Sequence, residues 1–467
     1  MITRLGLIRC LWAQDALLPT GWARDVLLQW NEDGQFSRVE AGQPCPPGGL
    51  IASGPVVPGM PNLHSHAFQR VMAGLTETRG PGEDSFWSWR RLMYRFAQHL
   101  SPTDLEAIAT ALYMEMLEAG YTQVCEFHYL HHQVDGRPYA QASEMSQAII
   151  RAAARSGIGL TLLPVLYQAS GIGGASPLVE QRRFLYSTQA MLELLDQLMG
   201  VCRSQQVRLG AAAHSLRAVT PAALDELISG LVTLDRTAPI HIHIAEQQVE
   251  VDACLSWSGQ RPVAWLLDHA PVDQRWCLVH ATHTSQAELQ ALAATGAVVG
   301  LCPSTEANLG DGLFDFSSWQ AHAGRWGIGS DSHVMVSPAD ELMWLEYGQR
   351  LQLQRRNIAT RAHQPDTATT LWLDALDGGA RACGQAVAGL RPGQRADWLV
   401  LNASHPLLDG LTAPQMLASH LFASSRHCAI QSVWTKGQCC VENGAHSLSA
   451  QAWRDFNSTR RQLLQNL

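Results

Sequence analysis

Charged side chains are scarce in this 467-residue sequence, and long hydrophobic runs are missing. Aspartate, glutamate, lysine and arginine make up 16% of the residues, against 46% hydrophobic ones. This composition excludes a disordered chain and is typical of a folded protein with a large buried core. Because no apolar stretch reaches about 18 residues, a transmembrane helix is not expected. An arginine within residues 1–9 leaves too little apolar length for a signal peptide, so we expect a soluble, cytoplasmic protein.

Basic clusters are missing as well. The formal net charge is −8, and no run of lysine or arginine stands out. An acidic protein without a basic patch is a poor partner for nucleic acid or for an anionic membrane. We therefore expect neither of them as a partner.

The eleven cysteines contain no Cys-x-x-Cys pair. Their odd number and wide spacing are typical of free thiols in a reducing cytosol. A structural zinc site would more often use thiolates at short spacing, which this sequence lacks. We interpret the adjacent Cys439 and Cys440 as strand residues rather than as a redox pair.

What the sequence does contain, from about residue 56, is an alternation of short apolar strands with helical segments. Such an alternation favours a parallel sheet that is covered by helices. Eight units in about 300 residues favour a closed (β/α)8 TIM barrel. An open, doubly wound sheet is the rival fold, but no Gly-x-Gly-x-x-Gly follows an early strand. We assign the eight strands to residues 56–66, 124–127, 160–166, 207–213, 239–244, 277–280, 297–301 and 326–331.

Strand signals return at both ends of the chain, outside this alternation. Residues 26–30 and 36–40 flank a turn sequence, which is a hairpin signal. A chain of this length has room for one large domain with a satellite. We therefore predict an α/β protein with three parts. They are a small β-sandwich formed by residues 1–55 and 386–467, an inserted barrel over residues 56–385, and a terminal helix over residues 450–467.

The first barrel strand ends in His64-Ser65-His66. Residues i and i+2 of a strand project to the same side, so the two imidazoles project together. Two neutral imidazoles side by side make half of a transition-metal site. Taken alone, the pair is equally compatible with two solvent-facing histidines at a strand end.

Three more polar residues close later strands, namely His243, His280 and Asp331. Side chains at the carboxyl ends of barrel strands face one shared pocket. A single histidine or aspartate there is commonly structural, but together with the first pair these residues form a set. Three of the four histidines in this set, together with the carboxylate, would suit Zn2+ with an exchangeable water position. Fe2+ or Mn2+ could occupy the same ligands.

Glu246 follows His243 by three residues, just past the strand end. A carboxylate at this place could move protons to and from a bound substrate. The alternative for Glu246 is a solvated loop acid. The loop acids Glu306 and Asp311, after the seventh strand, are interpreted as shaping their loop rather than as catalytic.

These motifs resemble the amidohydrolase superfamily, and within it the branch of mononuclear deaminases. The resemblance lies in residues 58–66, 243–246, 279–281 and 329–331, and in the C-terminal pattern 390–397 with Gly437. It implies a His-x-Ala-Glu box that selects His243 rather than His241 as a ligand. Dinuclear members carry a bridging lysine at the end of the fourth strand; here His214 stands near that place, which favours one metal ion.

The resemblance further implies roles for the set. His64, His66, His243 and Asp331 would hold the metal ion, and Glu246, His280 and Asp331 would be catalytic. Relatives are often homodimers. Two alternatives remain, a deaminase of this fold that acts on a heterocycle, and a non-catalytic barrel used as an assembly module.

Further stretches, 66–70, 87–90, 126–129, 214–219 and 302–312, resemble a narrower group of deaminases. Their substrate is a small dianion with two carboxylates beside an amidine-like head, so it requires at least two anion-binding points. Arginine presents a planar fork that matches a carboxylate. The substrate-binding residues implied are Gln69, Arg90, Tyr129, His214 and Arg217, and each could serve either carboxylate. Without the resemblance, each arginine could equally belong to a structural ion pair.

Overall fold

Antiparallel strands begin the described part of the chain. The computed structural model describes residues 9–79, 85–423 and 429–466. Asn31 Oδ1 accepts a hydrogen bond from the Gln35 N–H at 2.9 Å and closes the predicted hairpin, which is confirmed. The second strand pairs antiparallel with both the first and the third. The first five strands are β1 (Cys10–Leu18), β2 (Gly21–Trp30), β3 (Phe36–Glu40), β4 (Leu50–Ile51) and β5 (Val56–Pro58).

The strands that follow build a parallel barrel. Eight of them pair in the order β6-β7-β8-β10-β11-β12-β13-β14, and the short β9 pairs only with β8. Nearly all of their residues are buried, as expected for a sheet covered on its outer face. Their bounds are β6 (Met60–Ser65), β7 (Tyr121–His128), β8 (Gly159–Leu166), β9 (Arg208–Leu209), β10 (Ala211–Ser215), β11 (Ile240–Ile244), β12 (Trp276–His280), β13 (Val298–Leu301) and β14 (Arg325–Ile328).

The barrel closes just beyond the last strand. The Asp331 N–H donates to the His64 carbonyl at 3.0 Å, and the His66 N–H donates to the Asp331 carbonyl at 3.2 Å. Ser65 and Asp331 form a parallel bridge between these two contacts. Closure therefore brings the chain after β14 against the end of β6, where the predicted site residues lie.

Helices alternate with these strands. Ser101 begins α2 with a reciprocal capping box to Asp104, and Pro102 occupies the first turn. Two short 3-10 segments, Ala67–Met72 and Val179–Gln181, lie in the connections. The helices are α1 (Phe86–Ala97), α2 (Pro102–Glu118), α3 (Glu144–Ser156), α4 (Thr188–Ser204), α5 (Pro221–Leu234), α6 (Gln248–Ser258), α7 (Pro262–His269), α8 (Gln286–Thr295), α9 (Pro303–Leu309), α10 (Phe316–Ala321), α11 (Pro338–Leu353) and α12 (Thr367–Cys383).

The end of the chain returns to the first sheet. Strand β15 pairs antiparallel with β5 and with β16, so both chain ends share the strand order β18-β17-β16-β15-β5-β1-β2-β3. The ring of Trp398 lies 5.1 Å from those of Trp30 and Trp434, in a core separate from that of the barrel. The last elements are β15 (Trp398–Leu401), α13 (Ala413–Phe422), β16 (Ile430–Thr435), β17 (Gln438–Glu442), β18 (Ala445–His446) and α14 (Ser449–Gln465).

The predicted fold class is confirmed, with two differences in detail. The run predicted as one strand over residues 56–66 divides between the two sheets, as β5 and β6. The run over residues 207–213 breaks at Gly210 into β9 and β10. Cys439 and Cys440 do lie in a strand, β17. The division at residues 55 and 385 stays a prediction.

No helix in the described ranges combines the length and the apolar character that crossing a bilayer requires.

Candidate active site

Four predicted metal ligands meet at the carboxyl ends of the barrel strands. His64 and His66 come from the end of β6, His243 from β11, and Asp331 from the turn after β14. The Nε2 atoms of His64 and His243 are 2.9 Å apart, and Asp331 Oδ1 lies 3.4 Å and 3.2 Å from the Nε2 atoms of His64 and His66. One ligand atom from each residue lies within 4.8 Å of all the others, and all four side chains are buried.

The protonation of this cluster suits a cation. His66 and His243 each direct Nδ1 at a backbone carbonyl 2.9 Å away, of Phe127 and His214, so Nδ1 carries the proton and the Nε2 lone pair faces the cluster. Burial lowers the pKa of His64 to about 3 and that of His243 well below its usual value, so both rings are neutral. Three imidazoles and a carboxylate in one buried place indicate a divalent metal ion.

Glu126, on β7, holds the backbone between the first two ligands. Its carboxylate accepts hydrogen bonds from Ser65 Oγ at 2.6 Å and from the Ala67 N–H at 2.7 Å. Burial raises the pKa of Glu126 to about 7. No sequence pattern assigned a role to this residue, because Ser65 and Ala67 lie about 60 residues away from it along the chain.

Beside the predicted ligands, His280 lies among three carboxylates. Its Nε2 is 3.7 Å from Glu246 Oε1 and 3.7 Å from Asp331 Oδ2. Its Nδ1 is 3.2 Å from Glu306 Oε1, which fixes the orientation of the ring. Burial opposes the charged form, but the three carboxylates raise the pKa of His280 to about 10. A divalent cation bound next to the ring would counteract this rise.

Glu306 therefore does more than shape its loop. Its Oε1 atom also accepts the Cys302 N–H at 2.9 Å, so one carboxylate links the start of α9 to the His280 ring. His280, Cys302 and Glu306 form a second cluster of possible metal ligands. Burial and nearby carboxylates raise the pKa of the Cys302 thiol well above its usual value, which makes it a poor ligand. Asp311 accepts a hydrogen bond from Gln247, which lies in the loop after β11.

A cavity opens above the ligands, and all five predicted substrate-binding residues line it. They are Gln69, Arg90, Tyr129, His214 and Arg217. Gln69 donates to the Tyr129 hydroxyl at 2.9 Å, while its buried Oε1 has no partner among the described residues. His241, which the resemblance set aside as a ligand, lies outside this cavity, with Nε2 2.9 Å from the Ala382 carbonyl.

The two arginines of the cavity differ in their partners. Arg217 donates from Nη2 to Glu246 Oε2 at 3.2 Å, and its Nε lies 3.6 Å from Glu250 Oε2. Glu250 is fully buried and also accepts the Ala245 N–H, so it ties Arg217 to the loop that carries Glu246. Among the described residues, Arg90 contacts no carboxylate, and its guanidinium lies 4.3 Å from the centre of the Trp87 ring. No sequence pattern pointed to Glu250.

A second, wider cavity of about 620 Å³ lies at the other end of the barrel. Pro58, two residues before the first barrel strand, lines it together with Arg325 and Trp326 at the beginning of the last one. None of the predicted site residues lines this cavity. The chemistry of the chain is therefore concentrated at the carboxyl ends of the strands, as in other barrels of this type.

A (β/α)8 barrel with a buried His3Asp cluster and flanking acid–base residues defines a metal-dependent hydrolase. Residues 56–440 match the family described as "Amidohydrolase family". The chain is 49% identical to formimidoylglutamate deiminase of Pseudomonas aeruginosa, over 97% of this chain and 99% of the relative. It is 26% identical to 8-oxoguanine deaminase of the same species, over 78% and 79% of the two chains. The crystal structure of an amidohydrolase from Brucella melitensis superposes with a TM-score of 0.93 and 45% identity, covering 98% of this chain and all of that one. The protein belongs to the amidohydrolase family.

Proposed function

We propose that this protein hydrolyses N-formimino-L-glutamate to N-formyl-L-glutamate and ammonia, a step of histidine degradation. One observation carries the proposal: the metal-ligand cluster and two arginines share a single cavity. The substrate is a dianion with an amidine-like head, so it requires positive charge at a distance from the reacting carbon. The similarity to the Pseudomonas deiminase supports the same substrate.

The ligand set His64, His66, His243 and Asp331 would hold one metal ion. A divalent cation there would supply Lewis-acid activation of water near neutral pH. We propose Zn2+, which suits three imidazoles and one carboxylate; Fe2+ and Mn2+ are the alternatives.

Asp331 and His280 handle the proton of the attacking water. Asp331 directs Oδ1 at the ligand nitrogens and Oδ2 at His280 Nε2, 3.7 Å away. The proton that leaves the water therefore has two acceptors side by side, with the His280 ring held from behind by Glu306. The oxygen adds to the formimino carbon as this proton moves.

Glu246 serves the other end of the reacting bond. Its Oε1 faces His280 and its Oε2 contacts Arg217, so the carboxylate lies between these two side chains in the cavity. We place the formimino nitrogen against Glu246, which pairs with the cationic head, receives the water proton from His280 Nε2 3.7 Å away, and passes it to the leaving nitrogen. The carbon–nitrogen bond breaks, ammonia departs, and the formyl oxygen comes from water.

We further propose a homodimer in the cytoplasm, with a small molecule rather than nucleic acid as the partner of the site. A homodimer should elute at twice the chain mass of 51.1 kDa in size-exclusion chromatography with light scattering.

An ammonia-release assay tests the proposed activity. Purified protein should release ammonia from N-formimino-L-glutamate and lose this activity with a chelator. Guanine and cytosine serve as competing substrates, since a deaminase for heterocycles is the alternative. Release from either ring, together with none from N-formimino-L-glutamate, would overturn the proposal.

A further inference from the structure

Behind the cavity, one buried amide contacts two tyrosine hydroxyls. Gln181 donates from Nε2 to the Tyr167 hydroxyl at 2.7 Å and to the Tyr94 hydroxyl at 3.1 Å. Gln181 is fully buried, while both tyrosines line the cavity that contains the metal ligands. Neither tyrosine belongs to the substrate-binding residues predicted from the sequence, and the two lie more than 70 residues apart along the chain.

The backbone fixes which way this amide points. Gln181 Oε1 accepts the Leu178 N–H at 2.7 Å, and a backbone N–H can only donate. The Nε2 group must therefore face the tyrosines, and each hydroxyl must accept one of its two protons. The hydroxyls lie 3.4 Å apart, so one can donate only weakly to the other. At least one phenolic proton is left to point into the cavity.

Tyr94 and Tyr167 form one wall of the cavity, and the cationic groups of the cavity lie on the same wall. The Arg90 guanidinium lies 5.5 Å from the centre of the Tyr94 ring. The guanidinium carbons of Arg90 and Arg217 lie 5.9 Å and 5.6 Å from the centre of the Phe86 ring. Of the carboxylates among the described lining residues, Asp331 lies at the catalytic end, and Glu246 contacts this wall through Arg217. This wall therefore offers hydrogen-bond donors to a ligand, which is the arrangement that an anion requires.

Tyr94 and Tyr167 lie one layer of side chains farther from the metal ligands than the predicted substrate contacts Tyr129 and His214 do. The rings of Tyr129 and His214 contact those of the metal ligands, at 5.1 Å from His66 and 5.0 Å from His243. Tyr167 instead contacts His214, at 4.6 Å between ring centres. A substrate whose head lies at the metal would reach the tyrosines only with the end of its chain.

We propose that Tyr94 and Tyr167, oriented by Gln181, bind the carboxylate of the substrate that lies farther from the reacting carbon and thereby select diacids. Tyr94 and Tyr167 are then specificity-determining residues, and Gln181 is a positioning residue. The proposal rests on the proposed function for the identity of the diacid, but its donor geometry is independent of that identity.

Two substrates and two variants test the proposal. N-formimino-L-glutamine differs from N-formimino-L-glutamate only in the far carboxylate, which is an amide. In Tyr94→Phe and Tyr167→Phe, the preference for the diacid, measured as a ratio of kcat/KM values, should fall about ten- to hundredfold, because a hydrogen bond to a charged group is lost. The loss should appear mainly in KM.

Tyr186→Phe is the matched control. Tyr186 is buried next to Tyr167, but it lies outside the cavity, and its hydroxyl has no hydrogen-bond partner among the described residues. This variant should keep the wild-type preference. An unchanged preference in both cavity variants, or an equal fall in the control, would overturn the proposal.

Gln181→Glu tests the orienting amide separately. The new carboxylate would accept both phenolic protons and turn the oxygen lone pairs toward the cavity, so KM for the diacid should rise at least as much as in the tyrosine variants. Thermal midpoints check that each variant is folded.

Calorimetric titration with glutarate and with its monoamide separates the subsite from the reaction. Tighter binding of glutarate by the wild type, lost in Tyr167→Phe, supports the subsite even if ammonia release from N-formimino-L-glutamate fails. Equal binding of the two compounds by the wild type contradicts the subsite even if the reaction is confirmed.

Discussion

Several residues of the site hold backbone conformations that side chains other than glycine rarely adopt. Ala245, His280, Ala281 and Asp331 have φ values of 50°, 68°, 51° and 44°. Each lies where a barrel strand ends and the chain must turn sharply over the cavity. Such conformations cost about 1–3 kcal/mol each and persist only when surrounding contacts impose them. Here these contacts include the hydrogen bonds that close the barrel. The turns that barrel closure requires are therefore the same turns that place the site residues.

Glu246→Gln should retain the fold and the metal while kcat falls about 10²- to 10⁴-fold. The amide keeps the size of the side chain but cannot transfer the proton to the leaving nitrogen. Steady-state kinetics, metal analysis and the thermal midpoint give the three readouts. Glu226→Gln, an exposed change on α5, is the control. Near-normal turnover of the first variant would remove Glu246 from the mechanism.

Glu306→Ala should lower kcat more than Glu306→Gln does, with the metal content unchanged in both. The glutamine can still accept from His280 Nδ1 and from the Cys302 N–H through one oxygen, whereas alanine leaves the ring without its partner. We expect losses of about tenfold for glutamine and about a hundredfold for alanine, in the range of positioned acid–base groups. Equal activity of the two variants would show that the His280 ring is oriented by other contacts.

Sequence patterns brought together the four predicted metal ligands because each of them follows an apolar strand, and strand ends of a barrel converge. The same reasoning could not find Glu250, Glu306 or Gln181. Their roles depend on single contacts with Arg217, His280 and the two tyrosines, which lie far away along the chain. No local pattern encodes such a contact.

Among the elements, helices and strands with strong local signals were predictable, and the division of one strand was not. Residues 56–66 look like a single apolar run, yet the chain leaves the terminal sheet after β5 and enters the barrel at β6. The turn occurs at Gly59, whose N–H donates to the Asp397 carbonyl at 3.3 Å. The partner strands decide where the run divides, and two of them, β15 beside β5 and β7 beside β6, come later in the chain.

Gly59→Ala should therefore lower the free energy of unfolding by about 1–3 kcal/mol. A Cβ atom at this position would lie 2.3 Å from Cγ2 and 2.9 Å from Cβ of Thr122, so β7 would have to shift. Denaturant unfolding followed by circular dichroism measures the change.

Gly200→Ala is the control for this substitution. Gly200 lies within α4, and a Cβ atom added to it would have no neighbouring atom within 4 Å, so alanine should be neutral or stabilising there. A loss at Gly200 equal to that at Gly59 would mean that space beside Thr122 is not what requires glycine.

At the scale of the whole molecule, residues far apart in sequence share one buried cluster, so the metal ion should also contribute to global stability. His64 and Asp331 join the first and last barrel strands, and His243 joins β11 to them. A ligand that binds only the folded state stabilises it by about 4 kcal/mol at a free concentration about 1,000 times its Kd. Chelation should therefore abolish ammonia release and lower the thermal midpoint together, and added Zn2+ should restore both.

The variant His243→Asn separates this stabilisation from a general effect of the chelator. It lacks one of the ligands, so its metal content should be low and its thermal midpoint should change little on chelation. Without the metal ion, the wild-type barrel would keep three imidazoles and a carboxylate together in a buried cluster, which leaves buried polar groups without a partner for their lone pairs. An equal decrease of the midpoint in wild type and variant would show that the chelator acts elsewhere on the protein. A decrease confined to the wild type would show that the cation holds the carboxyl ends of distant strands together.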